Sequence, residues 1–180
     1  MNIKDLNSEQ QVFCLMTGYE LFGRTFRMDP KIDWDKVYQE VTYQSVSCIF
    51  SDICQKLSAD SAIRKKWEMQ NFGIMANGIQ VRYGQQKLIR LLKDHQIPFV
   101  ILKGTAAAYY YPNPDYRAMG DIDFMVREED FLPTIALLEQ NGYIHSHDHE
   151  DNDCHESFEK DGIHFFWNAG ETVDYGSYEF

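Results

Sequence analysis

Apolar residues recur every three or four positions through the first part of the chain, a spacing that places them on one face of an α-helix. Residues 8–22 carry the first such pattern, and Ser8 with Gln11 three positions later resembles a capping box. Asp33 can cap a second helix, which we expect to break near Gln44–Ser47 because weak helix formers are concentrated there. The chain therefore begins with helices.

A third helical pattern runs from Ser58 to about His95. It contains three glycines, at which we expect the helix to bend or divide: Gly73, Gly78 and Gly84. Residues 1–95 are thus predicted to form a helical N-terminal region.

The period of the pattern changes after this region. Two short apolar runs, IPFVIL and DIDFMV, indicate buried strands, and each is followed by a helical pattern. HESFEKDGIHFFW indicates a hairpin around a Lys-Asp-Gly turn. Residues 96–180 are therefore predicted to form a mixed-sheet α/β (α+β) core with flanking helices.

The composition fits a folded globular protein. The 180 residues are 44% hydrophobic and 14% aromatic, enough for a sizeable core. No apolar run approaches the roughly 20 residues that span a bilayer, and the N-terminus lacks the layout of a signal peptide. The four cysteines are scattered without a CxxC pair, so we expect reduced thiols in a cytoplasmic protein.

The net charge of −11 is concentrated near the C-terminus, where residues 145–180 hold ten acidic residues against one lysine. An acidic chain repels a phosphate backbone, so nucleic acid is a poor candidate partner unless metal ions mediate the contact. The simplest interpretation of the acidic segment is a solvated surface.

Asp121 and Asp123 lie two positions apart in the predicted strand DIDFMV, so both project from the same face. Two neighbouring carboxylates repel each other, and their burial without a partner is costly. A divalent cation removes that cost, and Mg²⁺ commonly takes one or two carboxylates together with substrate phosphates.

A strand-to-helix corner precedes these aspartates. Gly104 and Thr105 begin a helix directly after a strand, so backbone N–H groups are available to a phosphate there, and Lys103 adds a mobile positive charge. Alternatively, each feature has an ordinary explanation: the Asp-x-Asp pair as solvated surface, the corner as a plain turn, and Arg117 as a partner of Asp115. The order of these features and their apolar flanks are more specific than any one of them.

The segment LKGTAAAYYYPNPDYRAMGDIDFMV resembles the polymerase-beta-like nucleotidyltransferase superfamily, whose signature is a Gly-Ser or similar turn followed by Asp-x-Asp or Asp-x-Glu on a strand. More narrowly, it is similar to a group of uncharacterised bacterial nucleotidyltransferases with an LKG…Y…R…DID pattern. The likeness extends from about Ile32 to Trp167 and is strongest over Lys103–Val126.

The resemblance implies roles for the matching positions. Gly104 and Thr105 would hold the triphosphate of an NTP, and Asp121 and Asp123 would bind two Mg²⁺ ions. Lys103 and Arg117 fall on recurring basic positions of the group and are assigned to phosphate contacts.

One position departs from the pattern of the group, in which a third carboxylate lies on the last hairpin strand. When IHFFW is aligned on Trp167, His164 takes the place of that acid and Phe166 that of a histidine. His164 is therefore a candidate catalytic residue, because an imidazole can act as a base near neutral pH. Asp174 is an alternative substitute for the missing acid.

A second candidate site is the cluster His145, His147, His149, Cys154 and His155. If the first three histidines lie on a strand they share one face, a plausible zinc or nickel arrangement. We favour a solvated polar loop without a dedicated metal, because no standard ligand spacing is met. His155 is the exception, since the resemblance implies a place for it near the active-site cleft.

The function predicted first is a metal-dependent transfer of an NMP group from an NTP to a hydroxyl on an unidentified acceptor, a small molecule or a protein. The alternative is a catalytically impaired nucleotide-binding or regulatory module in which His164 has replaced the third acid. A third possibility is that a partner chain completes the site.

Overall fold

The computed structural model describes residues 6–58, 60–146 and 155–168. The chain forms two compact units, each with its own core. The first contains the residues up to Gly78 together with Ala108–Ala118, and the second contains Ile79–Ala107 together with the residues from Met119 onward.

Six α-helices lie in the described ranges, with short 3₁₀ turns at Ser47–Phe50, Pro114–Tyr116 and Glu128–Asp130. The helices are α1 (Ser8–Phe22), α2 (Trp34–Tyr43), α3 (Ser51–Lys56), α4 (Ala62–Asp94), α5 (Gly104–Ala108) and α6 (Phe131–Gln140).

The capping box of α1 lies one residue earlier than predicted. The Asn7 side chain accepts a hydrogen bond from the Gln10 backbone at 2.8 Å, and the Gln10 side chain accepts one from the Asn7 backbone at 3.3 Å. Asn7 has extended backbone angles whereas Ser8 already lies in the helix, so the pair formed by Ser8 and Gln11 cannot close the box.

The predicted second helix and its break are confirmed. Asp33 caps α2 by accepting from the backbone N–H of Lys36, and α2 ends at Tyr43. The 3₁₀ turn and α3 follow as a separate segment. Together with α1 and the beginning of α4 they bury an apolar cluster consisting of Met16, Val37, Tyr38, Val41, Phe50, Ile53, Cys54, Leu57 and Trp67.

The cysteines described in this unit are free thiols. Cys48 and Cys54 are buried, and desolvation raises the pKa of each thiol to about 11. Both side chains therefore remain protonated at neutral pH and act as small apolar packing groups.

Helix α4 is continuous over 33 residues, so the predicted division at its glycines is wrong. Gly84 is buried because α4 approaches the sheet closely there: a Cβ on Gly84 would lie 2.6 Å from Cδ1 of Ile163. Gly73 has no such neighbour, since nothing lies within 4 Å of the corresponding position. Close packing therefore explains the glycine at position 84, and the flanking helical turns tolerate its low helix propensity.

The second unit contains a five-stranded mixed sheet, which confirms the predicted α/β class and the helical region before it. Its strand order is β1–β2–β5–β4–β3, with β2 and β5 parallel and the other neighbours antiparallel. The strands are β1 (Phe99–Leu102), β2 (Asp121–Val126), β3 (Ile144–Ser146), β4 (His155–Lys160) and β5 (Ile163–Asn168). Strand β3 was not predicted.

Alternation along the strands gives the sheet two different faces. Ile122 and Phe124 of β2, Phe158 of β4, and Ile163 and Phe165 of β5 are buried in one apolar cluster. Residues between them in the strands therefore point away from this cluster. A one-residue shift of either central strand would exchange the two faces, so the apolar cluster fixes the register.

The predicted hairpin is confirmed, and its turn is tight. β4 and β5 pair from Lys160↔Ile163 outward, and Asp161 and Gly162 form the connection with φ of 55° and 75°. Two positive φ values are typical of the type I′ turn that matches the twist of antiparallel strands. The turn therefore fixes which residues of β4 and β5 lie opposite each other.

No helix within the described residues combines the length and the apolar character required to cross a membrane.

Two of the three glycines of α4, Gly73 and Gly84, provide a matched test of the packing argument. We expect Gly73→Ala to increase the free energy of unfolding by about 0.5–1 kcal/mol, because alanine favours the helix and meets no neighbour. Gly84→Ala should increase it less or not at all, because Cδ1 of buried Ile163 must move to admit the new methyl group, which offsets the helix gain. Urea unfolding monitored by circular dichroism measures both, and equal stabilisation by the two substitutions would contradict the close approach.

Candidate functional site

Strand β2 carries both predicted aspartates on one face of the sheet. Asp121 opens the strand and Asp123 is its third residue, while Ile122 and Phe124 face the apolar cluster. The two carboxylates therefore project from the face opposite that cluster.

The two aspartates differ in their exposure to solvent. Asp123 is only 4% exposed, whereas Asp121 is half-buried. An ionised carboxylate without water needs a compensating charge. The Nζ atom of Lys103 supplies one at 3.3 Å from Oδ1 of Asp123.

Lys103 lies at the corner between β1 and α5, where the backbone is unusual. Its φ is 47° and that of Gly104 is 29°, so two successive residues have positive φ. For a lysine this conformation costs roughly 1–2 kcal/mol, and such strain is often retained at functional sites. The strained residue here is the one whose ammonium group contacts Asp123.

Thr105 has a structural contact that the sequence did not reveal. Its hydroxyl donates a 2.6 Å hydrogen bond to Oε1 of Gln85 on α4, which ties the first turn of α5 to the long helix. The hydroxyl proton is therefore already engaged, and Thr105 can offer a ligand its backbone N–H.

Arg117 belongs to the first compact unit, and its guanidinium donates to the carbonyl of Ala118 at 3.1 Å. Its assignment to a phosphate contact stays a prediction.

The strand register brings His164 next to Asp121. β2 and β5 are parallel neighbours in which Asp121 pairs with His164, and Asp123 pairs with position 166. Paired residues of adjacent strands project from the same face. His164 is exposed there, while Ile163 and Phe165 on either side of it are buried.

Glu159 extends this row and was missed in the sequence. It pairs with His164 across the antiparallel β4–β5 ladder, so Glu159, His164 and Asp121 lie side by side on three adjacent strands. The tight Asp161–Gly162 turn was the signal that could have identified it, since a two-residue turn places positions 159 and 164 opposite each other.

The side chains on this face carry donor atoms of the types that bind divalent cations. Carboxylate oxygens of Asp121 and Asp123 are hard ligands, and the imidazole of His164 is a nitrogen donor. Lys103 places a positive charge against the buried carboxylate of Asp123. Within the described parts of the chain, no three His, Cys, Asp or Glu side chains are gathered in a geometry that could hold a metal ion.

The other candidate cluster is only partly described. His145 lies in β3, stacked on Phe158 at 4.6 Å, with Nε2 2.6 Å from Glu156 and Nδ1 3.4 Å from Glu139. Both of its ring nitrogens thus face carboxylates, a contact that ties together β3, β4 and α6.

The remaining members of that cluster lie outside the description. His147, His149 and Cys154 fall outside the described residues, as does Asp174, and His155 is described in its backbone alone, as the first residue of β4. The metal interpretation of the cluster therefore stays a prediction.

A cavity of about 240 Å³ lies on the other side of the sheet. It is lined by residues of α4, by Tyr143 and by residues of the β4–β5 hairpin, among them Tyr83, Lys87, Lys160 and Asp161. Burial raises the pKa of Tyr143 to about 12. None of the predicted site residues lines this cavity.

The fold and the site together define a class: an α/β protein with paired acids on a central strand of a mixed sheet, beside a glycine corner. The chain belongs to the uncharacterised nucleotidyltransferase family, whose model matches residues 30–173. Membership of this family supports a general role in nucleotidyl transfer. Comparison with curated proteins gave no match, and comparison with solved structures gave none.

The contact between Lys103 and Asp123 predicts a measurable coupling. In buffer containing a chelator, Lys103→Met and Asp123→Asn should each lower stability, and the double variant should lose less than the sum of the two. We expect a coupling energy of about 0.5–1 kcal/mol, because the lysine is largely exposed although the carboxylate is buried. Urea unfolding of the four proteins measures this energy. Strictly additive losses would show that the contact contributes nothing to stability.

Proposed function

We propose that this protein transfers a nucleotidyl group from an NTP to a hydroxyl group of an acceptor. The acceptor oxygen forms a bond to the α-phosphorus, the bond from that phosphorus to the β-phosphate oxygen breaks, and pyrophosphate and a proton are released. Family membership supports nucleotidyl transfer in general, and the arrangement of β2 with the Lys103–Gly104 corner supports this specific form.

The observation that carries the proposal is the nearly buried carboxylate of Asp123, with Asp121 on the same face and the largely exposed Lys103 side chain placing its ammonium against it. A core built only for stability would favour an apolar residue at such a position. An acid retained there, with an exchangeable cation as its partner, is typical of a site that binds metal and phosphate.

Asp121 and Asp123 would hold Mg²⁺, with two ions proposed as in the resembled superfamily. Bound there, the metal would supply positive charge to the phosphate oxygens and lower the pKa of the attacking hydroxyl.

The corner before α5 would hold the triphosphate. The Lys103 ammonium can leave Asp123 for a phosphate oxygen when a metal neutralises that carboxylate, since its side chain is 68% exposed. Gly104 and Thr105 would offer backbone N–H groups to the phosphate oxygens. Binding energy from these groups would orient the α-phosphorus for attack.

His164 would complete the site beside Asp121. An imidazole can accept the hydroxyl proton, as the sequence predicts, or donate a nitrogen lone pair to the bound cation. In either role, His164 would help to activate the attacking hydroxyl oxygen.

The acceptor we propose is a small molecule or a protein hydroxyl. A net charge of −11 disfavours the polyanionic backbone of a nucleic acid.

A second candidate function is a nucleotide-binding or regulatory module without turnover. The observation that favours it is His164 on β5, where the resembled group has a carboxylate. Such a module would retain the aspartate pair and the phosphate corner and would lack transfer, or would receive the third acid from a partner chain.

Binding of nucleotide provides the first test. Isothermal titration of ATP and GTP should show affinity at least about tenfold higher with Mg²⁺ than with chelator, since metal and phosphate share the site. Asp121→Asn and Asp123→Asn should abolish this difference. Asp94→Asn, an exposed residue at the end of α4, is the matched control and should behave as the unaltered protein does. Equal affinity with and without Mg²⁺ would contradict the metal site.

Transfer provides the second test. The protein is incubated with cell extract and NTP labelled at either the α- or the γ-phosphate, and labelled products are identified by mass spectrometry. We expect the α-label alone in the product, and Asp121→Asn should reduce it about a hundredfold or more, since charge stabilisation in the transition state would be lost. Label from the γ-phosphate would indicate a kinase instead. Retained Mg²⁺–nucleotide binding without α-label would favour the module.

A further inference from the structure

We propose that His164 donates a ring nitrogen to the cation held by Asp121, and that Glu159 orients the ring from the opposite side. Compared with a site of three acids, this site would then have its selectivity shifted from Mg²⁺ toward divalent ions that accept nitrogen ligands, with Mn²⁺ as the probe. This inference rests on the proposed function, because it uses the same aspartates.

The first step is the distance between the donors. Asp121 and His164 are register partners on parallel neighbouring strands, which lie roughly 4.8 Å apart. Metal–oxygen and metal–nitrogen bonds are each about 2.0–2.2 Å long. A cation bound to Asp121 therefore lies within reach of the His164 ring without movement of the backbone.

The second step is the orientation of the ring. Histidine ligands usually donate their second N–H to a carboxylate, which fixes the tautomer and raises the basicity of the ligating nitrogen. Glu159 is the residue opposite His164 on β4, and side chains of such pairs have Cβ atoms about 4.5–5.5 Å apart. The row on β2, β5 and β4 is thus carboxylate, imidazole, carboxylate.

The third step is whether the side chains of His164 and Glu159 are available for this arrangement. In the part of the chain that the structure describes, the side chains of His164 and Glu159 make no hydrogen bond or ion pair, and His164 is exposed. His145 differs in this respect, because its two nitrogens face Glu156 and Glu139. Among the described residues, none occupies either ring nitrogen of His164.

The fourth step is the choice of ion. Mg²⁺ prefers oxygen ligands and strict octahedral geometry, whereas divalent ions of the first transition series, Mn²⁺ included, accept an imidazole nitrogen more readily. A neutral imidazole also adds a ligand without adding a fourth negative charge to Asp121, Asp123 and Glu159. The donor set consequently selects against Mg²⁺ relative to a site with three acids.

The test uses the full chain, Mn²⁺ and inorganic tripolyphosphate, which contains no nitrogen. Pulsed electron paramagnetic resonance detects the ¹⁴N coupling of an imidazole bound directly to Mn²⁺, and titration of the free-Mn²⁺ signal gives the affinity. We expect ¹⁴N coupling in the unaltered protein and its loss in His164→Gln, with affinity lowered about tenfold or more. Glu159→Gln should keep the coupling and lower the affinity about tenfold, the usual effect of removing an orienting carboxylate.

Two controls match these substitutions in chemistry. His95→Gln removes a histidine at the end of α4, and Glu129→Gln removes an exposed glutamate before α6. Neither should change coupling or affinity. His164→Asp, which restores an oxygen donor, should move the ratio of Mg²⁺ to Mn²⁺ affinity toward Mg²⁺, and thermal melts establish that each variant is folded.

The outcomes separate this inference from the proposed function. Binding of Mn²⁺ that depends on Asp121 but shows no ¹⁴N coupling would overturn the role of His164 and leave the aspartate site intact. Coupling that persists in His164→Gln would assign the nitrogen to another histidine and would equally overturn it. Absence of any Asp121-dependent binding, of Mn²⁺ or of Mg²⁺ with nucleotide, would overturn both proposals.

Discussion

The parallel pairing of β2 with β5 is the constraint on which the site depends. The two strands are far apart in sequence, and their register is set by apolar side chains that lock into one cluster, among them Ile122, Phe124 and Phe165. Because side chains alternate, the same packing places Asp121 and His164 together on the opposite face. The hydrophobic face thus determines the polar one, although no residue belongs to both.

Much of this arrangement could be predicted from local sequence. The strand character of DIDFMV, the shared face of its two aspartates and the hairpin all follow from patterns within about a dozen residues, and the structure contains these elements as β2, β4 and β5. The order of the strands could not be read locally. Glu159 was missed for that reason, since its relation to Asp121 passes through β5.

Other features could not be predicted from the sequence because they depend on tertiary packing. β3 is three residues long, too short for a period to be recognised, and it exists through its pairing with β4. The glycines of α4 suggested that the helix would bend or divide. The helix is unbroken, and Gly84 allows it to pack closely against Ile163. The ion pair of Lys103 with Asp123 depends on a backbone conformation that is unusual for lysine and has no sequence signature.

The two-residue connection at Asp161 and Gly162 has a consequence for how this chain can evolve. Surface loops generally tolerate insertions and deletions. In this turn, however, one added or lost residue would shift the register of β5 by one position relative to β4. The imidazole would turn inward and an aromatic ring outward. Substitutions of these two turn residues should therefore be tolerated better during evolution than insertions or deletions between β4 and β5.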